Sequence, residues 1–162
     1  MFPTNTGGFS FTAALEDEQA TRRLMADIAA VIERGDLITL SGDLGAGKTT
    51  FARGLIRALG YRGRVKSPTF TLVEVYKLSS LSLYHFDFYR FDDPKAWLEA
   101  GFREDFDGIN VCLVEWPEKA GPKLPGPDLG ITLGVVPAGG RTVRLEAHTE
   151  KGERCLHGLM TD

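Results

Sequence analysis

The chain has 162 residues, of which 43% are hydrophobic; this composition excludes a disordered protein and predicts a single domain over residues 1–162. Its net charge of −3 argues against direct nucleic-acid binding, because no overall positive field attracts phosphates, so any contact with RNA is expected only through a partner. Two cysteines are too few for a disulfide framework, and the chain has neither a signal peptide nor an apolar stretch of about 18 residues. We therefore expect a cytoplasmic protein with no membrane span.

Strands and helices are predicted to alternate in the first part of the chain. Residues 8–13 are predicted to form a strand, and residues 17–33 a helix whose apolar residues recur at three-four spacing. Residues 36–41 are typical of a short buried strand. Residues 49–59 are typical of a helix, which Gly60 ends.

The second part of the chain is rich in strand-forming residues. Residues 69–77 and 81–89 predict an antiparallel hairpin, Asp93-Pro94 opens a short helix with proline as its first residue, and residues 109–114 predict a buried strand. Further along, we expect a loop over residues 121–128, strands over 128–136 and 141–148, and a last helical turn from 156. This order predicts an α/β protein of three layers, with a mixed sheet, added antiparallel strands and helices on both faces.

Between the strand at 36–41 and the helix at 49–59 lies Gly42-Asp43-Leu44-Gly45-Ala46-Gly47-Lys48-Thr49, which fits the phosphate-loop pattern G-x-x-x-x-G-K-[ST]. Glycines let backbone N–H groups turn toward phosphates, the lysine reaches the β- and γ-phosphates, and the threonine hydroxyl can bind Mg²⁺. The predicted nucleotide-binding residues are Asp43, Leu44, Gly45, Ala46, Gly47, Lys48, Thr49 and Thr50. The alternative is a glycine-rich turn that only links strand to helix.

Two carboxylates are candidates for work beside this loop. Glu115 ends an apolar strand, where it can bind Mg²⁺ together with Thr49; the alternative is a strand-end charge that faces water. Asp87 shares a strand face with His85 and can position water or a metal-bound ligand, although it can also serve as a structural partner of Arg90 or of another basic residue. We expect His85 to pack or to form a hydrogen bond rather than to catalyse.

A loop with three basic residues precedes the hairpin; they are Arg62, Arg64 and Lys66. It is followed by Ser67, Pro68 and Thr69, which predict either a solvated loop or a switch-like segment that senses the γ-phosphate. Trp116 directly follows Glu115 and is expected near the nucleotide. The absence of an Asn-Lys-x-Asp element, which would read guanine, favours ATP.

Four stretches of the chain form a set. They are Gly-Asp-Leu-Gly-Ala-Gly-Lys-Thr-Thr-Phe at 42–51, Val-Lys-Ser-Pro-Thr-Phe-Thr-Leu-Val-Glu at 65–74, Tyr-His-Phe-Asp-Phe-Tyr-Arg at 84–90 and Cys-Leu-Val-Glu-Trp-Pro at 112–117. Their order and spacing resemble the TsaE (YjeE) family, bacterial P-loop ATPases that are needed to make threonylcarbamoyladenosine in tRNA. The resemblance runs from about residue 11 to residue 156.

The resemblance implies a P-loop NTPase-like fold and a slow ATPase that depends on Mg²⁺ and on partners. Thr49 and Glu115 would hold Mg²⁺, Asp87 would assist hydrolysis, and residues 67–71 would act as a switch. The partners would be TsaB and TsaD, which transfer the threonylcarbamoyl group to an adenosine beside the anticodon. The chain would reset or license that pair through its ATP cycle and would contact tRNA only indirectly.

Two other classes of protein are compatible with a phosphate loop. A small-molecule kinase needs an arginine-bearing lid, but the segment after Glu115 has no arginine before Arg141, which counts against a lid there. A nucleotide-gated scaffold would bind ATP without turnover, and the carboxylates Asp87 and Glu115 argue against it. Phosphate release measured with and without candidate acceptors separates the three.

Overall fold

The computed structural model describes residues 2–3, 9–43 and 46–160. The predicted contributions of Gly8, Leu44 and Gly45 lie outside these residues. Within them the strands are β1 (Phe2–Pro3), β2 (Ser10–Leu15), β3 (Leu37–Ser41), β4 (Val73–Lys77), β5 (Ser82–Asp87), β6 (Val111–Glu115), β7 (Leu129–Val135) and β8 (Arg141–Ala147). The α-helices are α1 (Glu18–Val31), α2 (Lys48–Ala58), α3 (Lys95–Glu99) and α4 (Glu150–Met160), and 3₁₀ helices cover Phe102–Asp105 and Pro117–Lys123.

All of these strands join one mixed sheet, in the order β1-β2-β8-β7-β3-β6-β5-β4. β3 pairs parallel to β6 and β7, and β5 pairs parallel to β6, while the remaining pairs are antiparallel. The central strands β3 and β6 are almost wholly buried, as expected for apolar strands covered on both faces. The predicted α/β fold with added antiparallel strands is confirmed.

Two hydrophobic clusters cover the two faces of the sheet. Residues of α1, α2 and α4 pack on one face, with Leu83 and Leu113 from the sheet. On the other face the helical segments pack around Trp97, whose indole N–H donates to the Ala120 carbonyl at 2.8 Å. Trp97 belongs to α3, which begins directly after Pro94; the proline is the helix cap rather than its first residue.

The predicted strand over residues 69–77 is wrong at its start, because residues 69–72 form a turn and β4 begins at Val73. Leu72 has a left-handed backbone (φ 71°), and its N–H donates to the Pro68 carbonyl at 2.8 Å. The strand-forming side chains at 69–71 predicted extension, but this turn prevents pairing with β5 before Val73.

The C-terminal helix is longer than the turn predicted from Leu156, since α4 covers Glu150–Met160. Glycine is a poor helix former, which made the segment around Gly152 unlike a helix in sequence. In the fold, a Cβ at Gly152 would lie 1.8 Å from the Asp128 carbonyl oxygen, so close packing requires glycine there. The Thr149 hydroxyl accepts the Gly152 N–H at 3.1 Å and starts the helix.

Both cysteines are buried, and burial raises the pKa of the Cys112 and Cys155 thiols to about 12. They therefore behave as small apolar residues rather than as nucleophiles or disulfide partners. In the part of the chain that the structure describes, no helix has both the length and the apolar character needed to cross a membrane.

Candidate nucleotide and metal site

Two glycines of the phosphate-loop motif, Gly42 and Gly47, have positive φ angles that favour glycine. Gly42, directly after β3, has a φ of 143°, and a Cβ there would lie 2.5 Å from the Leu133 carbonyl oxygen. Gly47 has a φ of 97° and caps the N-terminus of α2. Gly42 and Gly47 therefore suit positions with positive φ, and at Gly42 a close backbone approach adds a second requirement for glycine. The N-terminus of α2, which follows Gly47, is a favourable place for an anion.

Lys48 is buried at the first position of α2 and turns back onto the loop. Its ammonium donates to the Gly42 carbonyl and, at 3.1 Å, to the Asp43 carbonyl, and it lies 3.8 Å from the centroid of the Trp116 ring. Burial lowers the pKa of the ammonium, and the charge of Glu115 partly offsets this effect. The ammonium is therefore poorly hydrated and bonded to neutral carbonyl oxygens. Phosphate oxygens are stronger acceptors and can replace these carbonyls.

The ends of β5 and β6 bring two carboxylates to the start of α2. Asp87 and Glu115 are neighbours in register on these parallel strands, and both are buried. The Thr49 hydroxyl lies 3.3 Å from Glu115 Oε1. The alternative that Glu115 is a strand-end charge facing water is wrong, since the residue is only 1% exposed.

His85 contacts the other oxygen of the same carboxylate. Its Nε2 lies 2.6 Å from Glu115 Oε2, and both side chains are buried. The expectation of a hydrogen-bonding histidine is confirmed. Its partner had no signal in sequence spacing, because the contact joins two strands that are neighbours only in the folded sheet.

Asp87 accepts the Tyr89 N–H at 3.0 Å. Burial raises the pKa of its carboxyl, and the nearby charge of Glu115 raises it further, while the bond from Tyr89 acts in the opposite direction. Among the described residues no ion pair joins Asp87 to Arg90, whose guanidinium lies 5.2 Å from the centroid of the Phe70 ring. The structural alternative of an Asp87–Arg90 pair is therefore wrong.

The switch-like residues lie apart from this cluster. The Ser67 and Thr69 hydroxyls are 2.7 Å apart, Pro68 is buried, and no hydrogen bond joins Ser67 or Thr69 to Lys48 or Thr49 among the described residues. The turn at residues 69–72 is connected to the site by one backbone hydrogen bond, in which the Leu72 carbonyl accepts the Asp87 N–H at 3.0 Å.

Arg141 at the start of β8 is a site residue that the sequence analysis did not identify. Its Nη1 lies 3.4 Å from the Ala46 carbonyl, and a Cβ at Gly47 would be 3.1 Å from its guanidinium carbon. A cavity of about 550 Å³ opens beside it, lined in part by Thr50 and Phe51. Only the pairing of β7 with β8 places this arginine at the loop, so no local motif could have indicated it.

The sequence profile of the family described as "Threonylcarbamoyl adenosine biosynthesis protein TsaE" matches residues 15–143. The chain belongs to the TsaE family. This membership places it in the biosynthesis of threonylcarbamoyladenosine in tRNA. The match includes the motif at 42–49, Asp87, Glu115 and Arg141.

Relatives of known name resemble this TsaE chain over most of its length. A Haemophilus influenzae "tRNA threonylcarbamoyladenosine biosynthesis protein TsaE" is 37% identical over 152 residues, which are 91% of this chain and 96% of that protein. A Bacillus subtilis protein of the same name is 43% identical over 115 residues, or 71% and 72% of the two chains. The crystal structure of Bacillus subtilis YdiB superposes with a TM-score of 0.79 at 31% identity, covering 96% of this chain and 97% of that one.

The site residues of this TsaE chain fit a nucleotide with a magnesium ion. Gly47 caps the N-terminus of α2, where backbone N–H groups favour an anion, and Thr49 and Glu115 offer two hard oxygen ligands. Across the described ranges no group of three His, Cys, Asp or Glu side chains could hold a metal ion.

Proposed function

We propose that this chain is a single P-loop domain that binds ATP and hydrolyses it slowly with Mg²⁺, as a switch acting on the TsaB–TsaD pair in tRNA threonylcarbamoyladenosine biosynthesis. The supporting observation is that one sheet edge brings Lys48 and Thr49 to Asp87 and Glu115. A turn that merely linked β3 to α2 would not require two buried carboxylates beside it. We also propose a cytoplasmic location, and contact with tRNA only through the partners.

Each residue of the cluster has a distinct role in this proposal. Lys48 exchanges its carbonyl acceptors for the β- and γ-phosphates, and the open end of α2 adds backbone N–H donors. Thr49 and Glu115 hold Mg²⁺, which when bound neutralises charge on the phosphates. Because Thr49 and Glu115 come from α2 and β6, the position of the ligands depends on the packing of that helix against the sheet.

The nucleoside is assigned to the cavity beside Arg141. The cavity borders Gly47 and Thr50 at the start of α2, where a chain of phosphates leaving the loop would lead. Arg141 has five N–H donors, and its bond to Ala46 is long at 3.4 Å, so donors remain for a phosphate or ribose oxygen. Phe51 supplies apolar wall for a base.

Asp87 is assigned to the attacking water. Burial raises the pKa of its carboxyl, so it is a better proton acceptor than an exposed aspartate. The Tyr89 N–H holds one carboxylate oxygen, Oδ1, and leaves the other to orient water toward the γ-phosphate.

Replacing Asp87 with asparagine should reduce ATP hydrolysis by about 100-fold or more while ATP affinity changes by less than about threefold, the range expected for loss of a general base. Asparagine retains an oxygen for the Tyr89 N–H but cannot accept a proton. Single-turnover phosphate release and calorimetric ATP binding measure the two effects. Asp92→Asn, at an exposed position nearby, is the matched control. Equal losses of binding and rate would assign Asp87 a structural role.

The TsaB–TsaD pair should bind the ATP form more tightly than the ADP or empty form, by about 5- to 150-fold, the usual range of coupling between two sites. The Leu72 carbonyl, at the end of the segment 67–72, accepts the Asp87 N–H. A partner that binds this segment can therefore change the position of Asp87. By linkage the pair should tighten ATP binding by the same factor. Titration of the pair with ATP, ADP or no nucleotide measures this, and equal affinity in all three together with an unaltered hydrolysis rate would contradict the switch.

The alternative of a small-molecule kinase is tested in the same assays. Phosphate transferred to a metabolite instead of released to water would establish a kinase. ATP binding without either product would establish a scaffold.

A further inference from the structure

We propose that His85 is a positioning residue for the metal-binding carboxylate: it holds one oxygen of Glu115 so that the other faces Thr49. The inference deepens the proposed ATPase function and rests on it. It gives the stretch at residues 84–90 a second functional residue besides Asp87.

The geometry divides the two oxygens of Glu115 between two partners. Oε2 lies 2.6 Å from His85 Nε2, and Oε1 lies 3.3 Å from the Thr49 hydroxyl. The first contact is short and lies between side chains that are each 2% exposed, so little water competes for it. The second is long enough for Thr49 and Oε1 to turn toward a shared cation. His85 therefore restricts the rotation of the carboxylate without occupying its metal-facing side.

His85 lies at a position where an apolar residue would otherwise pack. Leu83, His85 and Asp87 alternate along β5 and share one sheet face, and Leu83 belongs to the core cluster under α2. His85 is just as buried, but its Nδ1 has no hydrogen-bond partner in the described part of the chain. Such a group costs stability in a core, so its presence needs an explanation beyond packing.

The contact with Glu115 fixes which His85 nitrogen donates. A carboxylate only accepts hydrogen bonds, so Nε2 carries a proton in this contact. A bond from the side chain behind a metal ligand orients that ligand, and its loss commonly lowers metal affinity by about 10- to 100-fold. Without His85, the Glu115 carboxylate can turn toward the Lys48 ammonium, whose charge already interacts with it, and away from Thr49.

The test compares three substitutions that differ in reach. His85→Gln can place an amide N–H near the position of Nε2, whereas His85→Asn places it near Nδ1, short of Glu115, and His85→Leu has no donor. The readout is ATP affinity measured by calorimetry over a range of Mg²⁺ concentrations, with thermal unfolding recorded for each variant. His148→Leu, at an exposed histidine, is the control.

In the leucine and asparagine variants, the Mg²⁺ concentration that gives half of the maximal increase in ATP affinity should be about 10- to 100-fold higher than in the unmodified chain. The ATP affinity measured without Mg²⁺ should be nearly unchanged. The glutamine variant should recover most of the loss. If the leucine variant does not fold, the asparagine and glutamine pair decides the question. In addition, nitrogen-15 spectra of the metal-free protein should show His85 protonated at Nε2.

Two results would overturn the assignment of His85. One is a folded leucine or asparagine variant with wild-type Mg²⁺ dependence, and the other is a His85 Nε2 that carries no proton. If the ATP affinity of the unmodified chain did not depend on Mg²⁺, the proposed function itself would be contradicted. Failure of the His85 assignment and failure of the proposed function are therefore distinguishable.

Discussion

Replacing Lys48 with alanine should lower ATP affinity by about 10²- to 10⁴-fold and abolish measurable hydrolysis. The ammonium is expected to make two charge-assisted hydrogen bonds to phosphates, each worth about 1.5–3 kcal/mol, and about 1.4 kcal/mol is a factor of ten in affinity. The fold should survive the change. Burial lowers the pKa of Lys48, so the folded site disfavours the charged ammonium. The ammonium donates hydrogen bonds to the carbonyls of Gly42 and Asp43, which remain free to bond to water in the alanine variant.

Calorimetric ATP titration, phosphate release and thermal unfolding measure these effects on Lys48→Ala. Lys95→Ala, at an exposed position on α3, removes the same charge far from the loop and should bind ATP like the unmodified chain. If Lys48→Ala bound and hydrolysed ATP normally, the loop would be only a glycine-rich turn. A large fall in unfolding temperature would instead assign the lysine a role in folding.

Replacing Glu115 with glutamine should raise the Mg²⁺ concentration needed for hydrolysis by about 10- to 100-fold, the factor that corresponds to losing one charge-assisted contact. Glutamine keeps the shape of the side chain and an oxygen for His85 Nε2, but it lacks the negative charge that a hard cation prefers. Because the buried charge also costs free energy in the folded state, the unfolding temperature should not fall in proportion to activity.

Hydrolysis rates across a range of Mg²⁺ concentrations measure the effect of Glu115→Gln, and thermal unfolding without Mg²⁺ measures its effect on the fold. Glu99→Gln is the matched control, because it removes an equal charge from an exposed side chain at the end of α3. Normal hydrolysis by Glu115→Gln at low Mg²⁺ would leave the carboxylate as a structural partner of Thr49 and His85.

The α/β fold was predictable because its strongest signals are local. The apolar strands β3 and β6, the glycine-lysine loop and the helix α2 each have a pattern that neighbouring residues make by themselves. Two predictions from residue preferences were wrong: residues 69–72 form a turn rather than a strand, and the last helix includes Gly152 and begins before Leu156. In both cases the decisive contact, Pro68 with Leu72 or Gly152 with Asp128, is a backbone approach that residue preferences do not encode.

The residues of the candidate site were predictable from local patterns, but their contacts were not. By itself the sequence indicated the residues of the candidate site: a phosphate-loop motif with Lys48 and Thr49, and carboxylates at strand ends. Only the tertiary structure decided their partners, because the contacts of Glu115 with Thr49 and His85 span 66 and 30 residues. The first depends on the packing of α2 against the sheet, and the second depends on the pairing of β5 with β6. The approach of Arg141 to Ala46 spans 95 residues. Contacts across such separations depend on strand order and register, which a one-dimensional pattern does not specify.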